Sequence, residues 1–505
     1  MNALARSLDG VSLAEVLGAD APTAAGEDRA LLGITTHSGA VRAGYLFLAV
    51  RGRQHHGLEY CADVIRRGAV AIAYDPAGAE PYLTALKGIP AFAIRELGQR
   101  AGVLAARFHG DPSATQQVMA VTGTNGKTSV SLITAQTLHE LSHPCGILGT
   151  VGYGLHGKLS TPSHTTPDAV EVQAWLAQFR VQGARHVSME ASSHALEQGR
   201  LAGTHVHTAV FTNLTRDHLD YHGDMHAYGE AKRRLFGMPG LKHAIINLDD
   251  AFGLELATTL PSGVALTGYS LAGATLAGAR MLQAQALELH AGGMHFDVSG
   301  DFGTGHVDSR LLGHFNAANL LAVLGALLAF DFPFADALHA LSRARTVPGR
   351  MECFGGGARQ PLVVVDYAHT PDALEKALLA TRAHCRGRLW CVFGCGGDRD
   401  RGKRPQMGHI ADRHADRVVL TDDNPRTEDG DAIIKDILAG IESRAHVSVQ
   451  RERAQAVASA VHAAAPGDAV LVAGKGHEEY QIVDGESLPY SDRATVSALL
   501  READA

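Results

Sequence analysis

The chain has 505 residues, enough for about two to four domains, and 46% of them are apolar, enough for large buried cores. A formal net charge of −8 argues against a general affinity for nucleic acid, and the longest apolar block, LLAVLGALLAF at 320–330, is too short to span a bilayer. The N-terminal stretch MNALARSLDGVSLAEVLGAD lacks a signal-type apolar run and the six cysteines form no CxxC pair, so the expectation is a reduced, cytoplasmic protein without membrane insertion.

Taken in chain order, residues 1–98 show short strand-like runs, GYLFLAVRG, GAVAIAYD and GIPAFAI, with helical patterns such as CADVIRRG between them. They predict a small N-terminal α/β domain. A second region, 99–346, opens on QQVMAVTGTNGKTSVSLITAQTL, where a β-branched strand meets a Gly-rich turn and then a helix. Strands follow at HVSMEAS, TAVFTNL and HAIINLD, and NAANLLAVLGALLAF reads as a buried helix. In 347–505 the strands LVVVDYA, LWCVFGC, RVVLTDD and AVLVAGK alternate with helices, which predicts a mainly parallel, Rossmann-like sheet covered on both faces. The fold class is therefore α/β in three domains.

GTNGKTS, residues 123–129, is the sharpest chemical signal. A full phosphate loop reads GxxxxGK[ST]; here the first glycine position is Val121 and the pattern is the shorter GxxGKT. The physics carries over. Gly123, Thr124, Asn125 and Gly126 let backbone N–H groups face phosphates at a helix N-terminus, with Ser129 just inside it. Lys127 offsets charge and the Thr128 hydroxyl can ligate Mg²⁺. Glu190 ends a strand in SMEASSHAL and is either a solvated terminus or a further magnesium ligand. The His-rich stretch TNLTRDHLDYHG has no HExxH spacing for zinc, yet Asp217, His218 and Asp220 lie just past a strand, within reach of a phosphate–metal cluster.

The run of TGTNGKT, MEASSH, TNLTRDHLDYHG, EAKRRLF, GHFNAANLL, GRME, DYAHTPDAL and GCGGDRDRGKRP resembles the Mur ligases, in order and over nearly the whole chain. These enzymes build the peptidoglycan stem peptide with ATP. The resemblance implies a UDP-sugar domain, a central ATP-binding P-loop domain and a C-terminal amino-acid-binding domain, acting as a monomer on small-molecule substrates. It also implies that a substrate carboxylate takes the γ-phosphate of ATP to become an acyl phosphate, which an amine then displaces. By the same resemblance Lys127, Lys232 and His218 are catalytic, and Lys232 is N-carbamylated so that it joins Thr128 and Glu190 around Mg²⁺. Asn319, Arg350, Asp366 and His369 match nucleotide contacts from later segments. Ser38, Arg53, Gln54, His55, Thr165, Thr166, Ser192, Gln198 and Arg200 match the contacts of a UDP-muramoyl dipeptide. The first domain departs most from the pattern, with His37-Ser38-Gly39 where Asp-Ser-Arg is usual and His56-Gly57 where Asp-Gly is usual.

TDDNPRTEDG, residues 421–430, is a turn when read by itself, with a helix cap expected at Thr427. In a parallel sheet, however, ligands bind beyond the carboxyl ends of strands. The ends of DYAHTP, GCGGDRD, TDDNPR and AGKGHE are thus expected to converge, gathering Arg399, Asp423, Asn424, Pro425, Arg426, Gly474 and Glu478. By resemblance, DNPR marks the members that add meso-diaminopimelate. The arginines would meet its far carboxylate, and Glu478 with Asn424 its far ammonium.

Overall fold

The computed structural model describes residues 10–20, 28–52, 55–162, 164–290 and 292–502. They pack as two compact units. The first holds the described residues through Ser270, with Ala274–Met281 and Ala322–Pro333; the second holds Leu271–Gly273, Leu282–Leu321 and the described residues from Phe334 on. Among the described residues no helix is long and apolar enough to cross a membrane.

Besides a two-stranded pairing of Val11–Ser12 with Ala30–Leu31, two larger sheets lie in the first unit. Gly33–Thr35, Tyr45–Ala49, Ala69–Tyr74 and Ala91–Ala93 pair in that order, all parallel. Side chains alternate across a strand, so Leu46, Leu48, Ala71 and Ala73 enter one core while Phe47, Ala49 and Ile72 enter another. Burial on both faces explains why these runs read as almost wholly apolar.

The larger sheet centres on Gln117–Thr122, flanked by His186–Glu190 on one side and Thr208–Phe211 on the other, all parallel. Cys145–Gly149 extends one side; His243–Asn247 and Ala265–Ser270 extend the other. Successive strands therefore leave Gln117–Thr122 in opposite directions, and the segment after it lies where the strand order reverses. That is where open parallel sheets bind ligands. GTNGKTS occupies this position.

Arg280–His290, whose residues from Leu282 on belong to the second unit, forms with Gly293–Gly300 and Gly305–Ser309 an antiparallel meander that the sequence reading did not anticipate. The remaining sheet runs Glu352–Gly355, Leu362–Asp366, Ala469–Ala473, Leu389–Phe393, Arg417–Leu420, Val447–Val449. Only its first pairing is antiparallel. Leu362, Val364, Phe393 and Leu471 pack under helices Pro371–Arg382, Lys403–His414 and Gly430–Leu438. Val363, Val365, Val392 and Val472 face Arg453–Ala463 and Asp492–Glu502. The expected parallel sheet with helices on both faces is present.

Candidate active site

Gly123 follows the strand Gln117–Thr122 with φ 149°, and a Cβ there would overlap the Thr212 hydroxyl. Only glycine lets the loop pass so close to its neighbouring strand. Gly126, at φ 88°, then starts the helix Lys127–Glu140. The loop is held from the side: Asn125 N donates to Asn213 Oδ1 at 2.9 Å, and the Thr212 hydroxyl donates to Asn125 O at 2.6 Å. Thr212 and Asn213 were not singled out in the sequence, although the TNL tripeptide after an apolar strand carried the signal.

Lys127 Nζ donates to Gly123 O and Thr124 O, both at 2.9 Å, and burial lowers its pKa. Lys232 Nζ, 1% exposed as a residue, reaches the same Gly123 carbonyl at 2.9 Å and lies 4.1 Å from the centre of the Tyr228 ring. Burial, and then the charge of Lys127, push Lys232 down to about 6, with Asp217 opposing the shift. Two ammoniums thus crowd one carbonyl. Desolvation favours the neutral amine of the second.

Glu190, also 1% exposed, receives the Thr128 hydroxyl at 2.9 Å and Thr150 N at 2.7 Å. Burial raises its carboxyl above the usual range, while the Thr150 N–H and Lys127 pull the other way. Among the described residues, no three His, Cys, Asp or Glu side chains gather as a metal-ligand cluster. The donor set next to the phosphate loop is a hydroxyl and one buried carboxylate. Those hard oxygens fit Mg²⁺ shared with phosphate oxygens, and they do not fit zinc.

The residues expected to meet the dipeptide form one network beside Glu190. Thr150 Oγ1 donates to Thr165 Oγ1 at 3.2 Å, and Thr166 Oγ1 donates to Glu190 O at 2.7 Å. Ser192 caps the helix Ser193–Glu197 through Ala195 N. Arg200 spans Thr166 O at 2.8 Å and Gln198 Oε1 at 2.7 Å. His218, at φ 52°, has its ring edge-on to His194 at 4.9 Å and to Tyr228 at 6.1 Å, and its Nε2 is 3.5 Å from Asp217.

Ser38 and His55 line a surface cavity of about 640 Å³ in the small sheet's domain, with His37, His56 and Tyr60. Arg53 and Gln54 lie outside the described residues. Both departures from the usual motif have a local use. His56 Nδ1 accepts from Leu58 N at 3.1 Å, the capping work a carboxylate does elsewhere. His37 Nε2 meets Asp168 at 2.9 Å, which ties the cavity rim to the cap of helix Ala169–Val181 and raises the imidazole's pKa.

In the second unit, Asp366 accepts from Met351 N at 2.7 Å and Ala368 N at 2.8 Å, pinning Met351 at φ 45°. Arg350 lies over the Tyr367 ring at 4.6 Å, and His369 Nδ1 is 2.9 Å from Tyr367 O. Asn319 donates to Asn316 Oδ1 at 3.0 Å, inside the helix His314–Ala329. Arg350, Asp366 and His369 are brought together; Asn319 has a local partner.

At the carboxyl ends of the sheet's strands, Asn424 Nδ2 donates to Glu478 Oε2 at 3.0 Å. Lys475, fully buried, donates to Asn424 Oδ1 at 2.8 Å and to Glu478 Oε2 at 3.1 Å. Gly474 sits against Asp423, whose buried Oδ2 has no hydrogen-bond partner among the described residues. Arg426, at φ 57°, donates through its guanidinium to Gly397 O at 2.8 Å and through its N–H to Ile482 O at 3.0 Å. Pro425 is buried behind it and Arg399 is exposed. Thr427 is no helix cap: its hydroxyl and N–H both go to Asp398, and Asp429 caps Gly430–Leu438. Lys475 was missed because a lone lysine after a strand gives no sign that it is buried.

Residues 121–327 match the Mur ligase middle domain, and residues 349–476 match the Mur ligase glutamate ligase domain. The chain belongs to the Mur ligase family. This Mur ligase is 51% identical, over 95% of its length and 96% of the relative's, to the UDP-N-acetylmuramoyl-L-alanyl-D-glutamate–2,6-diaminopimelate ligase of Alkalilimnicola ehrlichii. It is 48% identical to the protein of the same name from Pseudomonas aeruginosa, over 91% of this chain and 93% of that one. A solved structure of a ligase so named superposes with a TM-score of 0.78 at 36% identity, covering 98% of this Mur ligase and 100% of the other chain.

Proposed function

We propose that this Mur ligase joins meso-diaminopimelate to UDP-N-acetylmuramoyl-L-alanyl-D-glutamate at the expense of ATP, as a monomer in the cytoplasm. Residues 1–98 would hold the UDP-sugar, 99–346 ATP, and 347–505 the amino acid. The observation that carries the reading is the buried set at the phosphate loop: Lys127 and Lys232 on one carbonyl, with Glu190 on Thr128. A carboxylate attacking a triphosphate must overcome mutual repulsion, and this set answers that need.

Lys127 offsets charge on the phosphates as the donor's D-Glu carboxylate oxygen bonds to the γ-phosphorus and ADP leaves. Thr166, Gln198 and Arg200 hold the dipeptide end. The resulting acyl phosphate is attacked by the acceptor amine; the C–N bond forms, phosphate departs, and the amine loses a proton. Lys232, neutral above about pH 6, can add CO₂ to give a carbamate anion and a proton. Thr128, Glu190 and that carbamate would hold Mg²⁺, which when bound supplies Lewis-acid stabilisation of phosphoryl charge. Asn424, Arg426, Glu478 and Gly474 favour an acceptor carrying a second zwitterionic end, in keeping with the acceptor in the relatives' names.

The test is ADP release with Mg²⁺, the UDP-muramoyl dipeptide and a panel of amino acids. Turnover should require all components and favour meso-diaminopimelate over L-lysine. Equal use of the two amino acids, or turnover without any acceptor, would defeat the reading.

A further inference from the structure

The buried Lys475 is the one charged group of the acceptor loops whose bonds all run to other recognition residues. Its ammonium donates to Asn424 Oδ1 at 2.8 Å and to Glu478 Oε2 at 3.1 Å. Asn424 Oδ1 also accepts from Ile482 N at 2.9 Å, so that oxygen has both lone pairs engaged. Asn424 Nδ2 spends one of its two N–H bonds on Glu478 Oε2 at 3.0 Å. The amide therefore cannot flip without losing three bonds and pointing an NH₂ group at an ammonium. What Asn424 retains for a ligand is a single N–H, a donor. This differs from the sequence reading, in which Asn424 helps to accept an ammonium.

Glu478 is constrained in the same way. Both bonds it receives go to Oε2, which fixes the rotamer and turns the carboxylate's other oxygen to a set direction. Near this core lie Asp423, whose carboxyl burial raises while Arg453 and Lys475 oppose the shift, and the buried pair Arg453–Asp492 at 2.8 Å. Tyr480 presents its ring 5.7 Å from the ammonium. Tyr367 and His477 also feel the charge of Glu478.

We infer that Lys475 is a positioning residue for acceptor recognition: it locks Asn424 as a donor toward the acceptor's far carboxylate and Glu478 as an acceptor toward its far ammonium. It does so without touching the amino acid itself. A far end reading carboxylate and ammonium in fixed places would select a zwitterion of one configuration. This rests on the diaminopimelate reading above.

The experiment compares Lys475→Ala with the unmodified enzyme in the ADP-release assay. Losing the lock should raise the KM for meso-diaminopimelate by about 10- to 100-fold, the worth of hydrogen bonds to charged groups, with kcat and the KM values for ATP and the UDP-muramoyl dipeptide changed far less. Ethylammonium or propylammonium should restore the acceptor KM, whereas the matching neutral alcohols should not. An unchanged acceptor KM, equal rescue by alcohols, or a loss confined to kcat would overturn the proposal. Should Lys475→Ala fail to fold, Asn424→Asp keeps an oxygen for Lys475 and Ile482 but replaces Nδ2, and with it both the outward N–H and the bond to Glu478, with an oxygen. Its Tm should fall because two carboxylates are brought together, and the folded variant should lose its preference for meso-diaminopimelate over L-lysine; a retained preference would overturn the proposal. An unmodified enzyme inactive with diaminopimelate would overturn both this inference and the reading beneath it, and is told apart by needing no variant at all.

Discussion

The phosphate loop of the first unit and the loops of the second unit proposed to read the acceptor handle buried charge in opposite ways. At the phosphate loop, Lys127 and Lys232 rest on backbone carbonyls, and Glu190 rests on a hydroxyl and an N–H. At the acceptor loops each buried cation meets a carboxylate: Lys475 with Glu478, Arg453 with Asp492, Arg404 with Glu428. The first arrangement leaves charge to be answered by a ligand. The second completes its charge pairing within the protein and offers a ligand fixed directions. Chemistry on a triphosphate calls for the former, discrimination between amino acids for the latter.

The contrast can be broken by substitution. The largest effect is expected at Lys127→Ala, which should lower kcat/KM by at least about 10²–10³-fold while leaving Tm near that of the unmodified enzyme. A loss below tenfold would show that the loop's cation is not answering phosphate. Asp492→Asn should do the reverse, since removing one member of a buried pair costs about 3–5 kcal/mol. Chemical denaturation would read this as a large fall in midpoint, and an unchanged midpoint would erase the contrast.

Lys232→Ala should lose about 100-fold in turnover, recovered in part by formate or acetate supplied as a substitute anion. In the unmodified protein, ¹³C-labelled CO₂ should give a carbamate resonance that weakens as pH falls below about 6, where the amine gains its proton. Full activity of Lys232→Ala without added carboxylate would remove the carbamate from the scheme. Arg426→Ala is expected to reduce the preference for meso-diaminopimelate over L-lysine by about tenfold or more, because an unpaired far carboxylate is then desolvated. Competition assays with both amino acids measure it directly.

The smallest expected effect is a gain. Burial raises the Glu190 carboxyl, so the ionised form weakens the fold at neutral pH. Its folded pKa lies above the unfolded one, and stability is lost as pH rises through the folded value. Glu190→Gln should therefore raise Tm by roughly 2 °C at neutral pH, with no gain at a pH where the native carboxyl is protonated, and should cost activity. A Tm that fell instead would place Glu190 with the paired charges of the second unit.

Much of this was legible in residue patterns. GTNGKTS announced itself because a β-branched apolar run, a glycine turn and a helical pattern succeed one another, and that succession is what the main chain does there. The gathering of the loops that follow the second unit's strands was legible from strand ends alone, since parallel pairing forces their carboxyl termini to one edge. The meander at 280–309 escaped, although LQAQALELH, a Gly-rich turn and MHFDVSG carry it; a register shift between Gln285 and Glu288 interrupts the alternation. His37 on Asp168, and Lys475 under Asn424, were unreadable for another reason. Their partners lie far away in sequence, and burial of a polar group is a property of the folded chain.

Arg426 has a further consequence, for redesign. A non-glycine residue at φ 57° is held in an unfavourable conformation, and the bond from its N–H to Ile482 O is part of what holds it. Asn424 is tied to the same neighbour through Ile482 N. The tetrapeptide at 423–426 is thus one half of a joint whose other half is the hairpin of Tyr480–Val483 and Glu486–Pro489. On the proposed reading, acceptor choice would not reside in a cassette that can be exchanged alone; transplanting the loop into a ligase with a different hairpin would move the letters and leave their grammar behind.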